Sequence, residues 1–392
     1  MLRSLFSGIS GLRAHQQMMD VTGNNISNVN TVGYKTSQAM FEDTLSQMLR
    51  GAGAPQGGNG GSNPAQVGLG ARLAGITTNF EQGAAQVTGR STDLMINGDG
   101  FFVVRSAGEQ LYTRAGSFAF DAGGRLVDTH GSVVQGWTAA NGVVNSNDSP
   151  SDVRLPIGTL LPATATDAVT VGGNLPGNST TTTPIVTSIS TYDAQGNART
   201  FSVSFTKLSP TSWSAVASDG TTSSAAQTIA FAADGGTPTP ASLTFSGVAV
   251  DLSGLTSYAG ASTAAAVSQN GSPMGSLQAF TISPDGTLVG VFSNGLKQPL
   301  AQVAMAAFNN PAGLEKAGDS KYRASVNSGA PQLGVAGGGG RGLLQSGALE
   351  MSNVDLAQEF TNLVIAQRGF QANSKVVSTS DELLQDLVNL KR

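Results

Sequence analysis

Residues 352–390 read SNVDLAQEFTNLVIAQRGFQANSKVVSTSDELLQDLVNL, and the spacing of their apolar side chains decides the fold. Leu356, Phe360, Leu363, Phe370, Val377, Leu384 and Val388 recur in steps of three, four and seven. That is the a/d rhythm of a helix packed along another helix. Ser352 with Asp355 supplies a start signal. Run unbroken, such a helix of roughly 38 residues is about 57 Å long. Gly369, and a second cap signal from Thr379 to Glu382, argue for a break; one long helix is preferred to two.

The N-terminus carries a matching half. From Arg3 to about Asn28 the apolar positions Leu5, Ile9, Leu12, Met19 and Ile26 keep the same rhythm once Gln16 and Gly23 are counted in the seam. The helix-poor run Gly23-Asn24-Asn25-Ile26-Ser27-Asn28 should end or fray this helix. The opposite faces hold uncharged amides and hydroxyls: Gln16, Gln17, Asn24, Gln358, Asn362, Gln367, Gln371, Asn373 and Ser374. The plain reading is a helix pair lying on a globular core. Amide-covered outer faces instead suit repeated helix–helix contacts in an assembly, or the wall of a polar channel. A stripe this narrow stabilises an isolated helix poorly, so the ends are open to folding only on association.

Between the ends the pattern turns to strands. Asn97-Gly98-Asp99-Gly100 precedes Phe101-Phe102-Val103-Val104, and Phe118-Ala119-Phe120 leads through Asp121-Ala122-Gly123-Gly124 to Arg125-Leu126-Val127. Further turns stand at Asp193-Ala194-Gln195-Gly196 and Pro284-Asp285-Gly286. These read as hairpins. Gly51 to about Gly70 is rich in Gly, Asn and Pro, as a flexible linker or as a segment ordered by its neighbours. Composition shifts again at Asn145–Pro150 and at Gly337–Gly340. The expected fold is a multidomain α+β chain with paired, coiled-coil-like terminal helices and two mostly-β domains, nested and discontinuous. Its parts are 1–28 with 352–392 as a helical core, 29–70 as a linker, 71–150 with 276–351 as an inner β domain, and 151–275 as an inserted outer β domain.

The chain has 392 residues, 12% charged, with a formal net charge of −4. Nothing in that balance invites nucleic acid or an anionic membrane. With no cysteine, disulfides, thiolate zinc sites, iron–sulfur clusters and cysteine nucleophiles are excluded. The start, MLRSLFSGISGLRAHQQMM, has no continuous apolar core and no small-residue cleavage site, so a cleaved secretory signal is not expected. Catalytic and metal chemistry find no constellation. His15 reads as lying on the polar side of its helix and His130 as sitting in a turn, both exposed or capping, and no nucleophile elbow accompanies them. The glycines 334–340 open no phosphate-binding helix. No cofactor is expected.

The end segments resemble the bacterial flagellar rod and hook (axial) protein family. The resemblance rests on Ser7-Gly8-Ile9-Ser10-Gly11-Leu12 and on the run from Gly23 through Asn24, Asn25, Asn28, Asn30 and Gly33 to Lys35. It rests also on Asn97-Gly98-Asp99-Gly100-Phe101-Phe102, on Tyr112 to Phe118, and on Ser352–Leu356 and Gln367–Lys375. Residues 151–275 match no motif of it, as suits a variable outer domain. The resemblance implies a layered subunit whose paired ends line a tube, with β domains outside, exported unfolded by the flagellar type III apparatus without signal cleavage. The insertion favours a hook subunit over a distal rod subunit. Polymerisation would then bury Leu5, Ile9, Leu12, Met19 and Ile26 with Leu356, Phe360, Leu363, Phe370, Val377, Leu384 and Val388, against each other and against neighbouring subunits. Its partners would be copies of itself, other axial proteins, junction and cap proteins and the export apparatus. The rival of another class is a secreted β-sandwich adhesin, though Trp137 and Trp213 stand outside any aromatic cluster of the sequence. A hydrolase using Asp121 and Asp128 comes third.

Overall fold

The computed structural model describes residues 2–389 apart from 56, 58, 59, 141, 156, 157, 159, 181 and 182. Among the described residues, two long helices frame strands, turns and a short 3-10 helix at Pro311–Gly313. Helix α1 spans Leu2–Ser27 and helix α2 spans Leu356–Asn389, 34 residues without a break. The expected end at Leu390 lies outside the described residues. The start differs from expectation. Asp355 Oδ1 accepts from the N–H groups of Ala357 at 2.9 Å and Gln358 at 3.3 Å, so Asp355 caps the helix. Ser352 is spent on the turn before it, its Oγ accepting from Val354 N at 3.3 Å. Helix α1 runs on through the helix-poor segment. Its last carbonyls find side-chain donors: Ser27 Oγ donates to Gly23 O at 2.9 Å and Asn28 Nδ2 to Asn24 O at 2.9 Å.

The stretch read as a linker carries strands. Antiparallel pairing joins β1 (Ser37–Asp43) to β4 (Ala71–Thr78) and β2 (Ser46–Arg50) to β3 (Ala65–Gly68), one hairpin continuing the other. This arm lies against α1, where Ser10 Oγ accepts from Ala71 N at 3.3 Å.

The chain divides into two compact units. The first comprises Met1–Leu155, Thr281–Val289 and Pro299–Arg392. Within it the strand Phe101–Ser106 pairs with Glu109–Thr113, with Val133–Val134 and with Met305–Ala306. One of its buried clusters is largely aromatic. Phe101 meets Phe308, Tyr322 and Phe80 edge-on, and Trp137 belongs to the same cluster. Trp137, placed outside any aromatic group by sequence, is therefore a buried core residue, with Nε1 donating to Asp148 O at 2.7 Å.

The second unit comprises Pro156–Phe280 and Gly290–Gln298. Five strands, 185–192, 198–209, 212–218, 227–231 and 238–239, form one antiparallel sheet. Residues 242–245, 248–256, 168–174 and 265–269 form a second. Alternation sends Phe201, Val203, Phe205 and Trp213 inward to meet Val169, Val250 and Leu252 of the other sheet, while Ser202, Ser204 and Thr206 face out. The expected turns are present and their carboxylates serve them. Asp121 Oδ1 accepts from Gly123 N at 2.9 Å and Arg125 N at 2.8 Å, and Asp193 Oδ1 from Gln195 N at 3.0 Å and Asn197 N at 2.9 Å.

Candidate assembly surface and the joint behind it

The helix pair packs through a face that apolar spacing alone does not pick out. In α1 the buried residues are Gly8, Ala14, Thr22 and Asn25; in α2 they are Glu359, Ala366 and Ser380. Between them Asn362, Leu363, Gly369, Asn373, Val377 and Leu384 are half-buried. Glycine and small residues let the two backbones approach closely. His15 belongs to this contact rather than to a polar outer side: a Cβ at Gly369 would collide with its ring. That is why Gly369 does not interrupt α2. Asn373 is likewise seated in the pair, 2.7 Å from where a Cβ on Gly11 would stand, not on the outer face where Asn362 and Asn373 were expected.

The expected seam is thus split. Leu5, Leu12, Met19 and Ile26 are half-buried beside the contact, as are Leu363, Val377 and Leu384. Ile9, Leu356, Phe360, Phe370 and Val388 do not bury against the chain's own helices; Phe360 is 53% exposed and Val388 66%. Period 3.6 gathers Leu356, Phe360, Phe370 and Val388 along one side of the α2 contact, and Ile365, Val376 and Leu383 along the other. Both flanks are exposed, so α2 is apolar over more of its circumference than α1 covers. The arm adds exposed Met40, Leu45, Met48, Leu49 and Ile76, and α1 adds Phe6. Such bare apolar surface is the mark of an interaction site.

Behind this surface a buried polar joint ties both ends of the chain to the β strands. The Asn25 amide is fully used. Its Nδ2 donates to Glu359 Oε1 at 3.0 Å and Ser37 O at 2.8 Å, and its Oδ1 accepts from Tyr34 OH and Ser37 N, each at 3.0 Å. Asn24 Nδ2 donates to Tyr34 OH at 3.1 Å, and the Lys316 ammonium sits 5.3 Å over the Tyr34 ring. Burial, then the nearby Glu359 charge, pushes the Tyr34 hydroxyl pKa up.

Deeper still, Lys35 Nζ lies 2.7 Å from Glu350 Oε1 with both side chains wholly buried. Lys35 also donates to Glu81 O at 2.6 Å, while Gly83 N donates to Glu350 Oε1 at 3.0 Å. Arg114 Nη1 reaches Glu350 Oε2 at 3.5 Å and Gly98 O at 2.9 Å, its guanidinium 5.3 Å over the Phe101 ring. Burial holds the Lys35 pKa below its ordinary value despite the pull of Glu350. Two cations therefore depend on one carboxylate. Asn353, just before α2, accepts from Thr36 N at 2.8 Å and donates to Asn79 O at 3.0 Å.

The signature residues fall around this joint. Gly33 takes φ +66, and a Cβ there would stand 2.5 Å from Ala115 N. Gly98 and Gly100 take φ +111 and +115, turning the chain into the strand that begins at the buried Phe101. Asn97 ends a strand paired through Leu343. Asn28 Oδ1 accepts from Thr31 Oγ1 at 3.0 Å, and Asn30 is exposed. Glu350 and Glu359 were not singled out from sequence, where each is one carboxylate with no local motif. Among the described residues no cluster of three or more His, Cys, Asp and Glu could hold a metal ion. His130 stays in its turn, with Nε2 3.6 Å from Asp319 Oδ1, and Asp128 serves Lys321 at 3.0 Å.

Fold and surface define a class: a multidomain, β-rich chain with a long helix at each end and exposed apolar surface on both helices. Four family models match in order along it. They are a flagella basal body rod protein model over residues 5–35, the flagellar hook protein FlgE/F/G D1 domain over 95–174, the flagellar basal body protein FlaE D2 domain over 160–272, and the flagellar basal body rod FlgEFG C-terminal model over 345–390. The flagellar hook protein FlgE of Borreliella burgdorferi is 36% identical, with 100% of both chains covered, and that of Escherichia coli is 34% identical, with 98% of each covered. The basal-body rod protein FlgG of Bacillus subtilis is 34% identical, with 100% of both covered. A crystal structure of the Helicobacter pylori flagellar hook protein FlgE2 superposes with a TM-score of 0.53 over 68% of this chain and 100% of that one, at 16% identity, and so shares the fold. The chain belongs to the flagellar hook protein family.

Proposed function

We propose that the chain polymerises through its two terminal helices into a tubular, bendable hook that joins motor to filament and transmits torque. One observation carries this reading most: after α1 has taken its share of α2, an apolar flank remains bare on each side. A helix left in this state is stabilised by a neighbour on either hand, the arrangement of a closed layer of helices repeated by one heterologous contact. The exposed arm beside α1 extends the contact surface to further copies.

In this reading residues 1–28 and 352–392 form the inner layer, 29–70 links outward, 71–150 with 276–351 forms the inner β domain, and 151–275 is inserted as the outer one, nested between the halves of the inner. The uncharged Ser/Thr face of the outer sheet suits contacts that rearrange as the tube bends. Export unfolded, without a cleaved signal, precedes assembly outside the cell, and other axial, junction and cap proteins meet the ends of the polymer. No described helix is long and apolar enough to cross a membrane. Electron microscopy of the purified, concentrated chain tests the proposal. Short curved tubes are expected; monomers that stay dispersed at every concentration would refute it.

A further inference from the structure

The contacts between α1 and α2 are specific in a way that an apolar seam is not. Across the pair, Gly8 faces Val377, whose Cγ2 lies 3.1 Å from a Cβ built on that glycine, and Gly11 faces Asn373 at 2.7 Å. Gly369 faces the His15 ring, and Asn25 donates to Glu359 at 3.0 Å. As the α1 partner rises from 8 to 25, the α2 partner falls from 377 to 359, so the helices run antiparallel in one continuous register. Three of these four contacts set a large side chain into the space of a missing Cβ. His15 Nδ1 is buried without a hydrogen-bond partner, so the ring is held by its fit and not by a bond at that nitrogen.

A heptad pattern by itself tolerates a slip of seven residues, which returns every position to its own face. Here a slip of one heptad would set His15 against Val376 or Asn362, each of which carries a side chain where Gly369 has none. We infer that these glycine-and-knob contacts, with His15 on Gly369 as the central pin, fix the axial register of the terminal helix pair. Resting on the assembly proposed above, this makes His15 and Gly369 positioning residues for the spacing at which subunits repeat. Discrimination comes from steric exclusion of the slipped alternatives as much as from attraction in the correct one.

The chain contains no cysteine, so introduced pairs report register without background. In this register Met18 stands opposite Ala366. Full-length protein with Met18→Cys and Ala366→Cys is expected to form an internal disulfide readily under mild oxidation. Adding Gly369→Ala should cut that yield roughly tenfold through overpacking, and adding His15→Ala to it should restore most of the loss. An unchanged yield with Gly369→Ala, or no rescue by His15→Ala, would overturn the inference. Tube formation by the parent chain is scored separately: its failure counts against assembly and leaves the register result standing.

Discussion

Glu350 is the residue on which the joint depends most heavily, because the buried cations Lys35 and Arg114 share its carboxylate. Replacing Glu350 by Gln keeps its shape and removes its charge. The expected loss is about 3–5 kcal/mol, the cost of leaving a buried pair broken, measured by urea unfolding; a loss under ~1 kcal/mol would show that water reaches the site. Lys35 gives a prediction of defined sign. Its folded pKa is lowered by burial, so between that value and the ordinary 10.5 the unfolded chain binds more protons, and stability gains with rising pH. The stability difference between wild type and Lys35→Met should therefore shift toward wild type as pH climbs through the lowered folded pKa toward 10.5, and stay level below the folded pKa. A difference that moves the other way would reverse the assignment. Lys35, Arg114, Asn25 and Gly33 were visible in the sequence as parts of motifs. Their common purpose was not, because Glu350 stands 315 residues from Lys35 in a strand without local signal.

Helix α2 separates residues that hold the chain from residues that hold its neighbours. Phe360 and Leu383 lie on the two exposed flanks, so Phe360→Ala and Leu383→Asp should change the stability of the monomer by less than about 0.5 kcal/mol. Each should nevertheless abolish or greatly weaken tube formation, as should Phe370→Ala; pelleting assays with circular dichroism separate the two effects. Leu363→Asp, half-buried beside α1, should block assembly while the β strands stay folded. Normal tubes from these variants would place the interface elsewhere. The length and pairing of the helices were legible from the heptad rhythm, since α2 follows it without a break. The packed face was not. Gly8, Gly11 and Gly369 carry no apolar signal, yet they decide which sides of the helices meet. The strands of the arm were not legible for a related reason: Gly, Asn and Pro between 51 and 64 leave a loose tether and an ordered segment equally open, and the paired strands on either side are short and weakly patterned.

At the scale of the whole molecule, buried apolar clusters hold the β structure, an aromatic one in the first unit and one between the sheets of the second among them, whereas the described residues of the terminal helices bury little apolar area. Stability is therefore graded along the chain: the β cores are the firmer part, and the helix pair, formed but weakly held in the monomer, gains most of its protection from copies of itself. Turn chemistry made the β regions readable in outline, through Asp121, Asp193 and Asp285. Sheet order was beyond such reading, since pairings such as Ala348 with Val87 join distant parts of the chain. The claim that the ends assemble is tested most directly by hydrogen exchange, comparing demonstrated monomer with tubes of the same protein. Amides of 2–27 and 356–389 are expected to exchange fast in the monomer and slowly in the tube, with 101–113 and 198–218 slow in both. Slow exchange throughout both helices of the monomer, unchanged on assembly, would contradict the account.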